Sequence, residues 1–239
     1  MIERYQYLEI EKIWNDQNKF DTWKLVEQKY LETLEENNIS PSGIAEVIEK
    51  TEVLKDEVYE REKITNHDLA SFVDILQSKV GDNSNWIHYG LTSSDVVDTA
   101  NSLLIKQSLS ITIELLDELL KQIEAKAKQE MHTPVVGRTH GVFAETTFLG
   151  NIFGNWHQEI KRNRERLEDC VKTISVGKLS GPVGNHTVVD ENIERTTLKK
   201  LGLEAEIFAS QVVARDRYCL LYTSPSPRDR TRSRMPSSA

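Results

Sequence analysis

Cysteine is scarce in this sequence: 239 residues carry only Cys170 and Cys219. Two thiols so far apart make neither a dense disulfide framework nor the paired Cys/His spacing of a structural zinc site, and they fit a reducing compartment. Long apolar runs are missing as well. The opening MIERYQYLEI is charged from residue 3 onward, and no later window approaches the length of a membrane span. The expected location is the cytoplasm, with no membrane partner. Basic charge is also short, 30 Lys and Arg against 38 Asp and Glu, for a formal net charge of -8. Nucleic-acid binders usually show a basic stripe, so no nucleic acid is expected as a partner. A small anion remains compatible with a local cationic pocket.

The charge that is present is uneven. Residues 1–221 hold nearly all of the acid, whereas residues 222–239 carry four Arg and one Asp, with five serines and three prolines. YTSPSPRDRTRSRMPSSA has no apolar period, so no packed element is expected there. It reads as a disordered tail or as foreign, linker-like sequence fused to the frame, and it is left out of the fold reading.

Elsewhere the pattern is helical. Ile13, Phe20, Trp23, Val26, Tyr30 and Leu34 return at helical steps and predict a helix over 12–36. SPSGIAEVIEK restarts the period, with Ser40 as N-cap and Pro41 in the first turn, and apolar positions continue through Val53, Val58 and Ile64. A shorter helix follows His67 or Asp68 and ends at Gly81. Leu109, Ile113, Leu116, Leu120, Ile123 and Ala127 alternate steps of four and three, the seam of a helix packed in a bundle. With Leu103 and Leu104 upstream, that helix should run for about 25 to 30 residues, well beyond the average. A second long helix carries Leu149, Ile152, Trp156, Leu167, Cys170 and Ile174. VGKLSGPVGNH, 176–186, lacks the Walker order and any preceding strand, and reads as a helix connection. Residues 190–201 and 208–221 read as helices again. The fold class is all-α: an N-terminal helical domain over 1–93, part of a long-helix central bundle over 94–221, and the tail over 222–239.

Polar chemistry collects in MIERY (1–5), TNHD (65–68), HYGLTSSDVVDT (88–99) and GRTHG (137–141), each read as lying at a helix end. First helical turns expose unpaired N–H groups that accept anionic oxygens. Thr92 and Asp95 have capping-box spacing, which alone predicts only a well-capped helix. Thr92, Ser93 and Ser94 nevertheless offer hydroxyls that suit a carboxylate. His140, beside Arg138 and Thr139, titrates near neutrality and could donate or accept a proton, although a satisfied surface histidine would look the same. None of the six histidines has the spacing and acidic or thiol partners of a metal site, so no metal ligands are assigned.

From Met1 to about Arg217, the order of MIERY, HD, HYGLTSSDVVDT, GRTHG, GKLSGPVG and SQVVARD resembles the adenylosuccinate lyase family of the fumarase and aspartase superfamily. The resemblance implies a β-elimination without an external cofactor. Fumarate leaves adenylosuccinate to give AMP, and leaves the succinylated aminoimidazole carboxamide ribotide earlier in purine biosynthesis. His140 then becomes the general acid. Arg4 and Tyr5 become phosphate contacts, and His67 and Asp68 orient substrate. Thr92 and Ser93 receive a succinyl carboxylate, with Thr139 beside the substrate and His88 either contacting the substrate or supporting this turn. Gln211 and Arg215 face it too, while Asp216 could instead pair with a neighbouring arginine. The expected partners are a small anionic nucleotide and, at full length, three further copies in a homotetramer. Two departures stand out. Thr146 follows Glu145 where the family often has proline, and the relatives continue for about as long again, through a loop that supplies a serine base. The chain by itself is therefore expected to be inactive. The competing reading is a noncatalytic helical oligomerisation or interaction module.

Overall fold

The stripe on the second helix explains most of the N-terminal packing. In the computed structural model, which describes Arg4 and residues 6–222, α1 (Leu8–Trp14) and α2 (Asp16–Glu36) are separate helices. The expected helix over 12–36 breaks at Asn15, which turns extended and uses its side chain to accept the Asn18 N–H at 2.8 Å, capping α2. On α2, Phe20, Trp23, Val26, Tyr30, Leu31 and Leu34 are all buried. Phe20 and Trp23 meet edge-on at 5.3 Å, and both contact Phe72 of α5 (Asp68–Val80). Fully burying a side chain of this size contributes roughly 1.5–3 kcal/mol, so this aromatic cluster is the anchor of the domain.

Around it lie α3 (Ile44–Lys50) and α4 (Lys55–Thr65). The start of α3 differs from the expected Ser40 cap. The chain turns through Gly43 at φ +94°, and the Ala45 N–H is accepted by Glu35 Oε1 at 2.8 Å. A carboxylate from the preceding helix thus does the capping, which places the start beyond Pro41. Between α3 and α4, Lys24 and Gln17 of α2 donate to the Thr51 and Val53 carbonyls at 2.9 and 2.8 Å, so the helix is interrupted where α2 satisfies its backbone.

The longest helix, α6 (Ser93–Gln129), has 37 residues, more than the seam predicted. It is followed by a hairpin, β1 (Pro134–Thr139) and β2 (Val142–Phe148), then by α7 (Leu149–Ile174). The hairpin corrects the placing of GRTHG at a helix end. β1 and β2 pair antiparallel with a bulge between Val136 and Arg138, and His140 and Gly141 form the turn at φ +51° and +77°. Paired left-handed residues are what a tight two-residue hairpin turn requires. Beyond α7, β3 (Val176–Gly177) pairs parallel with β4 (Glu204–Ala205), flanking α8 (Glu191–Lys200). The helix expected over 208–221 is replaced by irregular chain, a 3-10 turn at Arg215–Tyr218 and the short α9 (Cys219–Tyr222). Its physical cause is Asp98, which accepts the Val213 N–H at 2.9 Å and so diverts that donor from a helical ladder.

By its internal contacts the chain divides into two units, one of residues up to Ser108 with Thr173–Arg215, the other of Leu109–Lys172 with the residues from Asp216 onward. The first holds the core just described, extended by Val96, Ala100 and Leu103 of α6 and by Leu179, Ile193 and Leu198. In the second, Arg164 of α7 bonds Asp117 of α6 through two nitrogens and Glu168 at 2.8 Å. No helix among the described residues is long and apolar enough to cross a membrane.

Candidate active site

The N-terminus of α6 is where the predicted polar residues converge. Asp95 Oδ2 accepts the Thr92 N–H at 2.8 Å, the N3 side-chain half of a capping box, while the Asp95 N–H goes to the Thr92 main-chain O at 2.9 Å instead of the Thr92 hydroxyl. The Thr92 and Ser94 hydroxyls have no hydrogen bond among the described residues. Ser93 Oγ lies 3.4 Å from His67 Nε2. His67 in turn caps α5, its Nδ1 accepting the Ala70 N–H at 3.3 Å. Asp68 sits beside it, Oδ1 3.5 Å from Nδ1, and accepts the Leu69 N–H at 2.7 Å. Two helix N-termini are thereby joined through a histidine and a serine, a combination that favours anionic oxygens at their free donors.

Below this surface the turn is fixed by a buried ion pair. Lys178 and Asp95 are both fully buried; the Lys178 ammonium bonds Asp95 and donates to Gly181 O at 2.6 Å, while Asp95 also accepts the Gly181 N–H at 3.1 Å. Thr99 Oγ1 bonds both the N–H and the carbonyl of Lys178 at 3.1 Å. Burial pushes the Asp95 carboxyl above its ordinary range, although Lys178 and the Thr92 and Gly181 N–H groups pull the other way. GKLSGPVG, expected to be a helix connection, is thus also the clamp that immobilises the hydroxyl-rich turn.

His88 lies in the same unit, at φ +63°, with its main-chain N–H donated to Glu27 Oε2 at 3.0 Å and Nδ1 2.6 Å from Glu27 Oε1. One turn farther along α2, Tyr30 donates its hydroxyl to Tyr89 O at 2.7 Å. Burial alone would push the His88 ring down, but the Glu27 charge and hydrogen bond, with the Asp95 charge, outweigh it and hold the ring above its ordinary value. Arg215 bonds Asp98 at 3.0 Å, and Asp98 is itself on the first turns of α6. Gln211 and Asp216 are exposed, and so is Arg4; Tyr5 lies outside the described residues. His140 and Thr139 are exposed on the hairpin of the other unit. Within the first unit, then, His67, Asp68, His88, Thr92, Ser93 and Arg215 are tied to the start of α6 or to the elements around it. A separate depression of about 880 Å³, lined by His186, Glu194, Lys199 and Phe208 among others, contains none of the predicted residues. Among the described residues no group of three or more His, Cys, Asp or Glu is arranged to hold a metal ion.

Comparison with known proteins gives this geometry a context. The family described as Lyase matches residues 8–224. The chain belongs to the lyase family. An adenylosuccinate lyase from Thermotoga maritima is 40% identical over 219 residues, covering 91% of this chain and 51% of the relative. One from Bacillus subtilis matches with the same identity and coverage. The chain spans about half the length of the curated relatives it matches. Among solved structures, a β-carboxy-cis,cis-muconate cycloisomerase from Acinetobacter calcoaceticus superposes with a TM-score of 0.82 at 21% identity, over 90% of this chain and 53% of that one. A fumarate lyase from a Mesorhizobium species gives 0.79 at 20% identity, over 84% and 49%. At such identities the likeness shows the fold, which in this chain is helical with two small two-stranded sheets.

Two residues of this lyase-family chain escaped the sequence reading. Glu27 left a signal, because it falls on the α2 stripe between Trp23 and Tyr30, where a charge has to find a buried partner. Lys178 left almost none; it stands between Gly177 and Leu179 in a segment without a period.

Proposed function

We propose that the whole protein is a carbon–nitrogen lyase that eliminates fumarate from adenylosuccinate and from succinylated aminoimidazole carboxamide ribotide. The observation that carries this reading is the 40% identity to adenylosuccinate lyases along 91% of the chain. The hydroxyl-rich start of α6 supports it independently: Thr92, Ser93 and the α6 N–H groups offer neutral donors to a succinyl carboxylate, and Asp95 is engaged beneath them instead of repelling it.

Elimination needs a base for the proton on the carbon beta to nitrogen, an acid for the departing nitrogen, and donors for the enolate-like carboxylate that forms. The C–H electron pair becomes the new C=C bond, the C–N pair leaves with nitrogen, and the acid returns a proton to it. His140 is the acid in this proposal, with Thr139 beside it. His67 and Asp68 orient substrate at the start of α5, Arg4 and Tyr5 take the phosphate, and Gln211 and Arg215 complete the contacts. The base is a serine in the half of the family fold that this chain does not span. A homotetramer in the cytoplasm is part of the same proposal.

The test is fumarate release by the whole protein supplied with either succinylated nucleotide. Turnover of both is expected, with His140→Ala lowering kcat by about 10²- to 10⁴-fold while assembly persists. Self-association without turnover or nucleotide binding would instead favour a noncatalytic helical module.

A further inference from the structure

We propose that Glu27 of α2 is a positioning residue for His88, gripping its main chain and its Nδ1 so that Nε2 is the one ring atom left to donate to an anionic group of the substrate. This rests on the lyase reading above and adds to it a residue far from the motifs that suggested it.

Geometry carries the argument. Glu27 is fully buried on a helix face otherwise made of Phe20, Trp23, Tyr30, Leu31 and Leu34. A carboxylate in such surroundings persists only when it is paired and hydrogen-bonded. Both of its oxygens go to a single residue, Oε2 to the His88 N–H at 3.0 Å and Oε1 to Nδ1 at 2.6 Å. The first contact holds the backbone in its left-handed turn. Tyr30, bonded to Tyr89 O at 2.7 Å, already supports that turn from the same helix. A purely structural role would need only these main-chain bonds; the bond to Nδ1 fixes the ring as well. It makes Nδ1 the donor toward Glu27, and Nε2 meets no partner among the described residues. His88 keeps 20% of its side chain exposed, whereas Glu27 keeps none. The ring therefore bridges a buried acid and the surface.

The charged groups acting on His88 come from two elements, Glu27 from α2 and Asp95 from α6, and Asp95 is itself paired with Lys178. Their balance holds the ring above its ordinary value, and when the ring is protonated both nitrogens donate. An imidazolium held in one orientation is a suitable partner for a carboxylate or phosphate oxygen, because the charge-assisted hydrogen bond needs no reorientation when substrate arrives.

The experiment has two arms. In the 239-residue chain labelled with 15N-histidine, His88 is titrated by NMR in wild type, Glu27→Gln and Tyr30→Phe. Wild-type His88 should titrate above the ordinary histidine value, with its proton on Nδ1 when neutral. Glu27→Gln should lower the midpoint by about one unit or more, since removing an opposite charge in contact has that scale. Tyr30→Phe, which loosens the turn but spares the ring, should leave it in place. In the whole protein, Glu27→Gln should raise KM for the succinylated nucleotide by about tenfold, leave kcat nearly unchanged, and move the alkaline limb of kcat/KM to lower pH by the same interval as the NMR midpoint. An unchanged His88 midpoint in Glu27→Gln overturns the proposal, and so does a lowered midpoint with unchanged KM. Absence of turnover by the wild-type whole protein overturns the underlying lyase reading and this proposal with it. That failure is told apart because the titration still responds to Glu27→Gln.

Discussion

Lys178 shows how one side chain decides the shape of a site it does not line. Its ammonium is fully buried and answers Asp95, whose carboxylate ties the start of α6 to the Gly181 turn. Removing one partner of a buried pair leaves the other charge without compensation, and that loss is large, whereas replacing both can be nearly neutral. Lys178→Met should therefore destabilise the chain by about 3–5 kcal/mol. The double variant Lys178→Met, Asp95→Asn should recover part of that loss, because no buried charge then remains. Urea unfolding of wild type, both single variants and the double variant closes the cycle; equal losses in the Lys178 single and the double variant would show that the uncompensated charge is not the cause. Lys50→Met supplies the contrast. Its pair with Glu46 is exposed on both sides, and solvent screening leaves such pairs with little effect on stability.

At the scale of elements, legibility followed burial. The stripes of α2 and α5 were readable because one side of each helix faces a core that tolerates only apolar residues, and the 3.6-residue period records it. The hairpin 134–148 was not readable in the same way. Val136, Val142, Phe143 and Phe148 are exposed, so no core imposes alternation, and the sequence shows only a glycine-bearing polar turn. Residues 208–214 failed for another reason: Asp98, far away in sequence, claims the Val213 N–H, and no local pattern announces a distant acceptor. Of the site, the hydroxyl turn and its histidines stood out, while their buried supports Glu27 and Lys178 did not. Glycines make the same contrast testable. Gly184 has φ +71°, and a Cβ there would lie 2.1 Å from Ala209 O, a main-chain atom that cannot swing aside. Gly43 has φ +94° and open space around that position. Gly43→Ala should lose only the left-handed penalty, about 1–2 kcal/mol. Gly184→Ala should lose more than about 3 kcal/mol, since the clash adds to that penalty. Urea midpoints of the two variants would decide it, and similar losses would rule out the close approach as the cause.

For the molecule as a whole, the two units differ in how well they cover their apolar residues. The first buries its cluster around Phe20, Trp23 and Phe72 almost completely. In the second, Leu115 and Leu119 of α6 and Ile152 and Trp156 of α7 remain between 39% and 49% exposed, each pair spaced four residues apart on one face of its helix. Two long helices that leave such rows in water have a reason to associate, because exposed apolar patches of this kind mark contact surfaces. The bundle seam read from Leu109 to Ala127 is a neighbouring, half-buried face of α6, so Leu115 and Leu119 form a second apolar row beside it. Light scattering after size exclusion should thus show the 239-residue chain associating as its concentration rises. Leu119→Gln combined with Trp156→Gln should weaken that association at least about tenfold, equivalent to about 1.4 kcal/mol. Far-ultraviolet circular dichroism should be unchanged, because neither side chain belongs to the buried core. A chain that stays monomeric throughout, or a double variant that associates as tightly as wild type, would exclude these faces as the surface responsible. The distinction matters for the elimination reaction, since the proposed homotetramer requires an assembly surface outside the sealed N-terminal core.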